Sequence, residues 1–314
     1  LRDDYWQKEE LIHPTLATNI GEITLTYISE ASQQQIALET GTLDCFASIT
    51  PTVVDAFASN DTYHIISGAS NNSTALYFSG HESRITARDV NLRKAICYAI
   101  DAEGLIAGAA NGWGEIMHDA APRTTVGYFS EWDEMEYFPY DVELAKEYLA
   151  KSSYNGEELS LMASSGSANQ RLCTMIQAYL GEVGINVKLD LLDQALYTAS
   201  NMDGSLYDMV INAVGNTMPH FWQTRYHMNA FAGGDGNSRK DAELTGLIEF
   251  AWQNANFNLE NASKVRDYVI ENAYSYGLYL PQSVSIINKD LNVIGTSANI
   301  QGMLDLPACI FAAK

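Results

Sequence analysis

Residues 89–101 read DVNLRKAICYAID, and this stretch combines a helix start with an apolar helical face. Asp89 can accept hydrogen bonds from the free amides of a helix N-terminus, which makes it a candidate cap. The apolar residues that follow fall on one face at helical spacing, namely Val90, Ala95, Ile96, Ala99 and Ile100. We therefore predict a helix that begins after Asp89 and buries one side.

Strands and helices alternate downstream of this helix. The predicted order is helix 141–149, strand 159–163, helix 170–181, strand 185–191, helix 194–202 and strand 209–214. Strands that alternate with helices of this length are typical of βαβ units. The sequence thus predicts an α/β fold with mostly parallel sheets flanked by helices.

The rest of the chain has weaker patterns. The predicted elements there are strand 23–28, helix 32–38, strand 73–78, helices 242–254 and 259–275, and strand 278–288. Residues 101–140 and 215–238 show no clear period, so we predict loops, which often carry binding groups. Pro281 suits an edge strand or a crossing segment better than a central strand.

Composition narrows the class of protein. The chain has 314 residues, 46% of them hydrophobic and 18% charged, which is ordinary for a globular core. Its 18 basic and 39 acidic residues give a formal net charge of -21, which repels phosphate backbones and disfavours nucleic-acid binding. No stretch approaches the roughly 18 apolar residues of a membrane-spanning helix.

The four cysteines form no C-x-x-C pair, so the sequence offers neither a zinc knuckle nor a thioredoxin-type motif. Cys97 and Cys173 lie in apolar periodic segments and are predicted to be small buried residues. An exported protein would permit a disulfide between Cys45 and Cys309, and the sequence leaves that pairing open.

Several short motifs occur in a fixed order along the chain. They are Tyr5-Trp6, TGTLD at 40–44, the stretch 89–101, GINV at 184–187, YDM at 207–209 and NKDL at 288–291. In this order they resemble the extracellular solute-binding proteins of family 5, the peptide and nickel class that delivers ligands to ABC importers. The order, more than any single motif, carries the resemblance.

This resemblance implies a fold and a domain organisation. The fold would be periplasmic-binding-protein-like, type II, cluster C, with two lobes that hold the solute between them. Residues 1–78 would be part of the first lobe, residues 79–287 the second lobe, and residues 288–314 a return to the first. Relatives carry a large segment before the Tyr-Trp motif, with the secretion signal and a lipid-anchor cysteine. The chain is therefore expected to begin inside the first lobe.

The first candidate binding site is the helix start after strand 159–163. Ligands of open α/β sheets bind at the carboxyl ends of strands, beside helix N-termini whose free amides favour negative charge. In some peptide-binding relatives a basic residue at a similar helix start receives the ligand's carboxylate. The resemblance implies this role for Arg171, with Gln170 and Asn169 beside it. The alternative is that Arg171 faces solvent.

The second candidate site, residues 215–222, departs from the family pattern. Peptide-binding relatives have an aspartate here that pairs with the peptide's amino group. This chain has no carboxylate between Asp208 and Asp235, so an ammonium group would meet only neutral acceptors such as Asn216, or aromatic faces. The departure weakens the case for free peptides and opens one for another ligand.

Three more side chains complete the predicted site. Trp222 lies in the same polar loop and could form an apolar wall, with core packing as the alternative. The resemblance also implies that the chain crosses from the first lobe to the second near residues 78–79. The strand before this crossing lines the solute cleft in relatives, which adds Thr74 and Tyr77.

The sequence gives less support to two other kinds of site, a metal site and the active site of a hydrolase. The candidate metal ligands are His220, His227, Met218 and Met228. Their spacing matches no compact ligand pair and no cysteine is near, so we predict no metal site. Glu131 and Glu134 lie among aromatic residues and could serve a secreted hydrolase, but acidic runs are more often solvated loops.

We therefore expect the substrate-binding component of an ABC importer, with no catalysis and no cofactor. Its ligand would be an oligopeptide or a similar small polar solute; nickel, another metal complex or another non-peptide solute is the alternative. The expected partners are that ligand and ABC permease subunits, and the protein is expected to be monomeric. It would be extracellular or periplasmic and, in full-length form, lipid-anchored.

Overall fold

The chain forms two compact units, Leu1–Ser70 with Gln282–Lys314 (unit 1) and Asn71–Pro281 (unit 2). The structure is a computed structural model. It describes residues 24–28, 30–46, 49, 51–135, 137–214, 217–229, 236, 239–293 and 309–311. Within these residues, no helix is long and apolar enough to cross a membrane.

Helices and strands alternate through most of the chain. The helices are α1 (Ala31–Glu39), α2 (Pro51–Val54), α3 (Ile85–Arg88), α4 (Val90–Ala99), α5 (Ala102–Ala109), α6 (Val142–Lys151), α7 (Ser167–Glu182), α8 (Gln194–Asn201), α9 (Met218–Arg225), α10 (Ala242–Ala251) and α11 (Leu259–Glu271). The strands are β1 (Cys45–Phe46), β2 (Tyr63–Ala69), β3 (Ser73–Phe78), β4 (Gly114–Glu115), β5 (Leu159–Ser164), β6 (Val187–Leu192), β7 (Met209–Val214), β8 (Ser275–Asn288), β9 (Leu291–Val293) and β10 (Cys309–Phe311). The predicted α/β class is confirmed.

The sheet of unit 2 is mixed. Its strands lie in the order β8-β3-β7-β5-β6, and β4 also pairs with β8. β5 is parallel to both β6 and β7, whereas β3 is antiparallel to β7 and β8. The parallel strands are the ones joined by α7 and α8, as the alternating pattern predicts. The antiparallel pairing of β3 and β8 joins distant parts of the chain, which local periodicity does not reveal.

Helices cover both faces of this sheet. Along β3, Leu76 and Phe78 belong to one hydrophobic core, while Ala75 and Tyr77 belong to another. Because successive strand residues point to opposite faces, the two cores lie on opposite sides of the sheet. Residues from α4, α5, α6 and α7 fill the first core, and residues from α8, α9, α10 and α11 fill the second.

Two of the sequence motifs have structural explanations. In the stretch 89–101, the Arg93 side chain is buried and donates to four backbone carbonyls, those of Thr86, Ala87, Asn272 and Ala273. In the YDM motif, the Asp208 carboxylate accepts from the amide of Ser160 at 3.0 Å and lies 3.3 Å from Nη1 of Arg84. These residues connect segments that are far apart in sequence.

The predicted cap of α4 is confirmed. Asp89 accepts from the Leu92 amide at 3.0 Å, and its second carboxylate oxygen accepts from the Ser153 amide at 2.5 Å and hydroxyl at 2.7 Å. Partial burial alone would raise the pKa of Asp89, but the hydrogen bonds from Ser153, Leu92 and Asn91 outweigh it and hold the pKa below its ordinary value.

Replacing Asp89 by alanine should lower the free energy of unfolding by about 1–2 kcal/mol at neutral pH, because the cap is lost. A lowered folded-state pKa means that the stabilisation is present above the unfolded value and disappears as the pH falls through the folded value. Urea titrations at neutral pH and near pH 3 measure this. Asp141→Ala is the matched control, since within the described part of the chain the Asp141 side chain accepts from the Leu144 amide alone. Equal losses in the two variants would contradict a contribution from Ser153.

Some predicted elements differ from the structure. α5 and α9 lie inside the predicted loops 101–140 and 215–238. α5 contains two glycines, which lower helix propensity, and α9 carries Pro219 in its first turn, where a missing N–H costs little. Residues 24–28 of the predicted strand 23–28 are not a strand, and β2 was not predicted.

β8 belongs to both units. Its residues from Ser275 to Tyr279 pair with β3 in unit 2, and its residues from Gln282 to Asn288 pair with β2 in unit 1. Pro281 is the last residue of unit 2. The predicted lobe boundaries at 78 and 287 differ from the limits of these units, since β3 pairs along its whole length with β7.

Unit 1 has its own packing. β8 pairs with both β1 and β2 in antiparallel register, and the Tyr63 hydroxyl donates to the carbonyl of Leu38 on α1 at 2.5 Å.

Among the cysteines, Cys97 and Cys173 in unit 2 are buried, as predicted. The pairing of Cys45 with Cys309 falls on a side chain outside the described residues.

Candidate functional site

Three parallel strands of unit 2 end at one edge of the sheet. β5 ends at Ser164 opposite Leu192 of β6, and β7 ends at Val214 opposite Ser73, the first residue of β3. We call this the carboxyl edge. α7, α8 and α9 follow these strands within a few residues, so their N-termini lie at the same edge. Such an edge is where ligands of open α/β sheets bind.

The three helix N-termini differ in how their amides are used. Asp193 caps α8 by accepting from the amides of Ala195 and Leu196, each at 3.0 Å. The Met218 amide of α9 donates to the carbonyl of Val126 at 2.9 Å, and the next residue, a proline, has no N–H to offer. The 16-residue helix α7 begins after Gly166, and no side chain among the described residues caps it. α7 thus presents amides that can receive an acidic group.

The three predicted residues of α7 lie in its first turns. Asn169 donates to the carbonyl of Ser164 at 3.0 Å and to its hydroxyl at 2.9 Å, which fixes the turn from β5 into α7. Gln170 and Arg171 are exposed. Nη1 of Arg171 lies 3.2 Å from Oδ1 of Asn111 and 3.4 Å from the carbonyl oxygen of Gly108, at the end of α5. Its guanidinium is therefore loosely held and open to solvent.

The predicted apolar walls are divided between two faces of the sheet. Tyr77 and Trp222 are in the same core, with exposures of 0% and 1%. Thr74 points to the opposite face, where it forms a hydrogen bond with the hydroxyl of Tyr279. The structure therefore groups Tyr77 with Trp222 and separates both from Thr74. Asn216 lies outside the described residues.

Of the residues considered for metal binding, Met218 and His220 lie in the first turn of α9 at the carboxyl edge, Met218 buried and His220 half-buried, and Met228 is exposed beyond the end of α9. Nε2 of the buried His227 lies 3.2 Å from Glu249, and its ring stacks on Trp252 at 5.6 Å. No group of three His, Cys, Asp or Glu side chains within the described ranges could hold a metal ion. Glu131 and Glu134 are exposed on a short 3-10 helix.

Sequence reasoning missed two features of this edge. Asp193 was detectable, since an aspartate before a helical pattern indicates a cap. The contact of Val126 with the start of α9 was not, because residues 125–128 have no periodic pattern and the pairing of Val126 with Thr217 spans 91 positions.

Solved structures share this fold. The substrate-binding protein CtaP of Listeria monocytogenes has a TM-score of 0.78 and 17% identity, covering 91% of this chain and 59% of CtaP. The oligopeptide-binding protein AppA of Bacillus subtilis, solved with a nonapeptide, has a TM-score of 0.74 and 15% identity, with coverage of 91% and 59%. At these identities the likeness establishes the fold.

Curated relatives are similar over most of the chain. The probable D,D-dipeptide-binding periplasmic protein DdpA of Escherichia coli is 24% identical over 307 residues, which cover 91% of this chain and 57% of DdpA. Heme-binding protein A of Haemophilus influenzae is 22% identical over 210 residues, covering 65% of this chain and 36% of that protein. The chain thus spans less than two thirds of the length of either relative.

The sequence profile of one family matches residues 2–237, well over half of the chain. The family is described as bacterial extracellular solute-binding proteins, family 5, and the profile represents its middle region. The matched range includes the stretch 89–101 and the YDM motif, whose buried Arg93 and Asp208 connect distant segments of unit 2. The chain therefore belongs to the bacterial extracellular solute-binding proteins of family 5.

Proposed function

We propose that this protein is the solute-binding component of an ABC importer, which captures an oligopeptide or a similar small polar solute and delivers it to membrane permease subunits. The observation that carries the proposal is the uncapped N-terminus of α7 at the carboxyl edge, with the exposed Arg171 on the same helix. Free amides and a guanidinium together suit a carboxylate. The role is binding without a chemical step.

The described residues at the carboxyl edge suit an acidic group of a solute better than a basic group. The described residues of α9 and its surroundings, 217–229, contain no Asp or Glu, so a free ammonium group finds no countercharge from this helix. Among the structural relatives, AgaA of Agrobacterium tumefaciens was solved with agropinic acid and NikA of Brucella suis with Fe(III)-EDTA. These two ligands support a non-peptide solute as the second candidate.

Arg171→Ala should weaken binding of an anionic solute about tenfold or more, because a charge-assisted hydrogen bond is lost. The probes are a tripeptide with a free carboxylate and the same tripeptide as its C-terminal amide, measured by calorimetry and by thermal shift. We expect the amide to bind weakly to the wild type and the alanine variant to reduce the difference between the probes.

The matched control is Lys188→Ala, which removes an exposed cation of the same unit that pairs with Asp190 at 2.7 Å. Its affinity for the free acid should equal that of the wild type. If Arg171→Ala also leaves this affinity unchanged, the carboxylate role of Arg171 is wrong.

The importer assignment has a separate test. Co-purification of permease subunits with the protein, or neighbouring genes for two permeases and two ATPases, would support it; capture of a receptor without permease subunits would oppose it.

We also propose an extracellular or periplasmic, lipid-anchored and monomeric protein. Detergent phase partitioning and size-exclusion chromatography of the protein purified from its cells measure these properties.

A further inference from the structure

The segment 117–128 follows the carboxyl edge of unit 2. Its Ala120 carbonyl accepts from the hydroxyl of Ser73, the first residue of β3, at 2.9 Å. Farther along, the Val126 carbonyl accepts from the Met218 amide at 2.9 Å, and Val126 forms a parallel bridge with Thr217. The segment therefore contacts the start of β3 and the start of α9, two of the groups that shape the edge.

The beginning of this segment lies directly against β8. A Cβ atom at Gly277 would be 2.3 Å from the carbonyl oxygen of Asp119, so only glycine permits this approach. The Gly277 amide donates to the hydroxyl of Tyr137 at 2.7 Å. Backbone packing thus sets the position of Asp119 beneath the edge.

The Asp119 side chain is held within the protein. One carboxylate oxygen accepts from the Ala121 amide at 2.7 Å, which closes a tight turn. The other oxygen lies 3.9 Å from Nε of Arg266 on α11, and the two side chains are 8% and 2% exposed. Arg266 also donates to the carbonyl of His118 at 2.8 Å and pairs with Asp267 at 3.2 Å.

The groups around Asp119 compensate only part of the cost of burying its negative charge. Burial raises the pKa of Asp119 to about 6, although the amides of Ala121 and Ala120 and the charge of Arg266 oppose this rise, and Asp267 adds to it. Three tyrosines also face it, Tyr128, Tyr137 and Tyr226, and burial raises the pKa of each, so they remain neutral. Asp133 accepts from the Tyr128 hydroxyl at 2.8 Å.

We propose that Asp119 is a positioning residue for the carboxyl edge. It keeps segment 117–128 in contact with β3 and α9, and this closed arrangement becomes more stable when the carboxyl group of Asp119 takes up a proton. The consequence for solute capture rests on the proposed function, because the segment then sets the shape of the edge at which the solute binds.

The direction of the pH effect follows from linkage. When the segment opens, water reaches Asp119 and its pKa returns towards the ordinary 3.8. The closed segment therefore binds more protons than the open one between these values, so opening becomes easier as the pH rises. Between about pH 4.5 and pH 7 the protection of the segment against amide exchange should fall on the order of tenfold.

Hydrogen exchange read by mass spectrometry tests this without any ligand, so a failed solute screen leaves the result interpretable. Peptides that cover 117–128 and 217–222 are followed at both pH values, corrected for intrinsic exchange. Asp119→Asn keeps an acceptor for the Ala121 amide but has no charge to titrate. We expect it to retain high protection at pH 7 and to lose the pH dependence. Asp119→Ala loses the acceptor as well and should expose both peptides at either pH.

The control is Asp267→Asn, which removes a carboxylate that also contacts Arg266 but is 51% exposed. Its exchange should keep the pH dependence of the wild type, because Asp267 is the smallest of the named contributions to the pKa of Asp119. The proposal is overturned if Asp119→Asn keeps the wild-type pH dependence in these peptides. It is equally overturned if the change in exchange is uniform across unit 2, including peptides of α7.

Discussion

Arg93→Ala is expected to lower the free energy of unfolding by about 3–5 kcal/mol. The Arg93 side chain is 3% exposed and donates to the carbonyls of Asn272 at 2.7 and 2.9 Å and of Thr86 at 2.7 Å, among others. Alanine would remove the Arg93 donors from the carbonyls of Asn272 at the end of α11 and of Thr86 in α3 in a buried site, where unpaired acceptors are costly. Urea unfolding followed by circular dichroism measures the loss.

Lys94→Ala is the control for this prediction. Lys94 is the next residue on α4, but its ammonium contacts only the face of the Tyr148 ring among the interactions described, at 5.5 Å. We expect a loss of about 1 kcal/mol or less. Similar losses in the two variants would mean that the carbonyl contacts of Arg93 contribute little.

Trp222→Ala should also lower the free energy of unfolding by about 3–5 kcal/mol, because it removes a fully buried indole from the core of α9 and α10. Trp222 is 1% exposed and lies 6.1 Å from Phe257, ring centre to ring centre. Thermal and urea unfolding measure the effect. Phe250→Ala on α10, where the side chain is 52% exposed, should change stability by about 0.5 kcal/mol or less.

The same variant separates the two roles considered for Trp222. A wall of the solute site would lose affinity for the tripeptide probe while the stability stays near that of the wild type. A core residue would lose stability, and the remaining folded protein would bind the probe with a smaller change. Loss of affinity at unchanged stability would contradict the core assignment.

Much of unit 2 could be predicted from the sequence, because its βαβ units have strong local periodicity. β5 and β7 occur at the predicted strands 159–163 and 209–214, and Asp89 and Asp141 cap the helices that they were expected to begin. Gly184, with φ of 90°, ends α7 in a conformation that favours glycine. In these cases one residue or one short repeat determines the local conformation.

The elements that were missed depend on other information. β2 pairs over seven residues with β8, more than 200 positions away, and its own sequence alternates weakly. α5 and α9 are short helices in segments rich in glycine and aromatic residues, where local propensity does not favour a helix. Pairing and packing stabilise such elements, and a single sequence window contains neither.

The candidate site shows the same division. Arg171 and its neighbours were identified because a helix start after a strand is visible in the sequence, and the structure places them at the N-terminus of α7. The faces to which Thr74 and Tyr77 point follow from the pairing of β3 within the sheet. Resemblance to relatives had grouped these two side chains, whereas strand alternation separates them.

The sequence by itself determined the family, the α/β alternation and the helix caps, since each is encoded in residues that are close together along the chain. Only the tertiary structure decided that the sheet is mixed, that Trp222 is in a core, and that Asp119 lies buried beside Arg266 beneath the carboxyl edge. The physical reason is that burial, strand pairing and the screening of charges depend on which distant segments of the chain come into contact. The residues within one short segment do not determine those contacts.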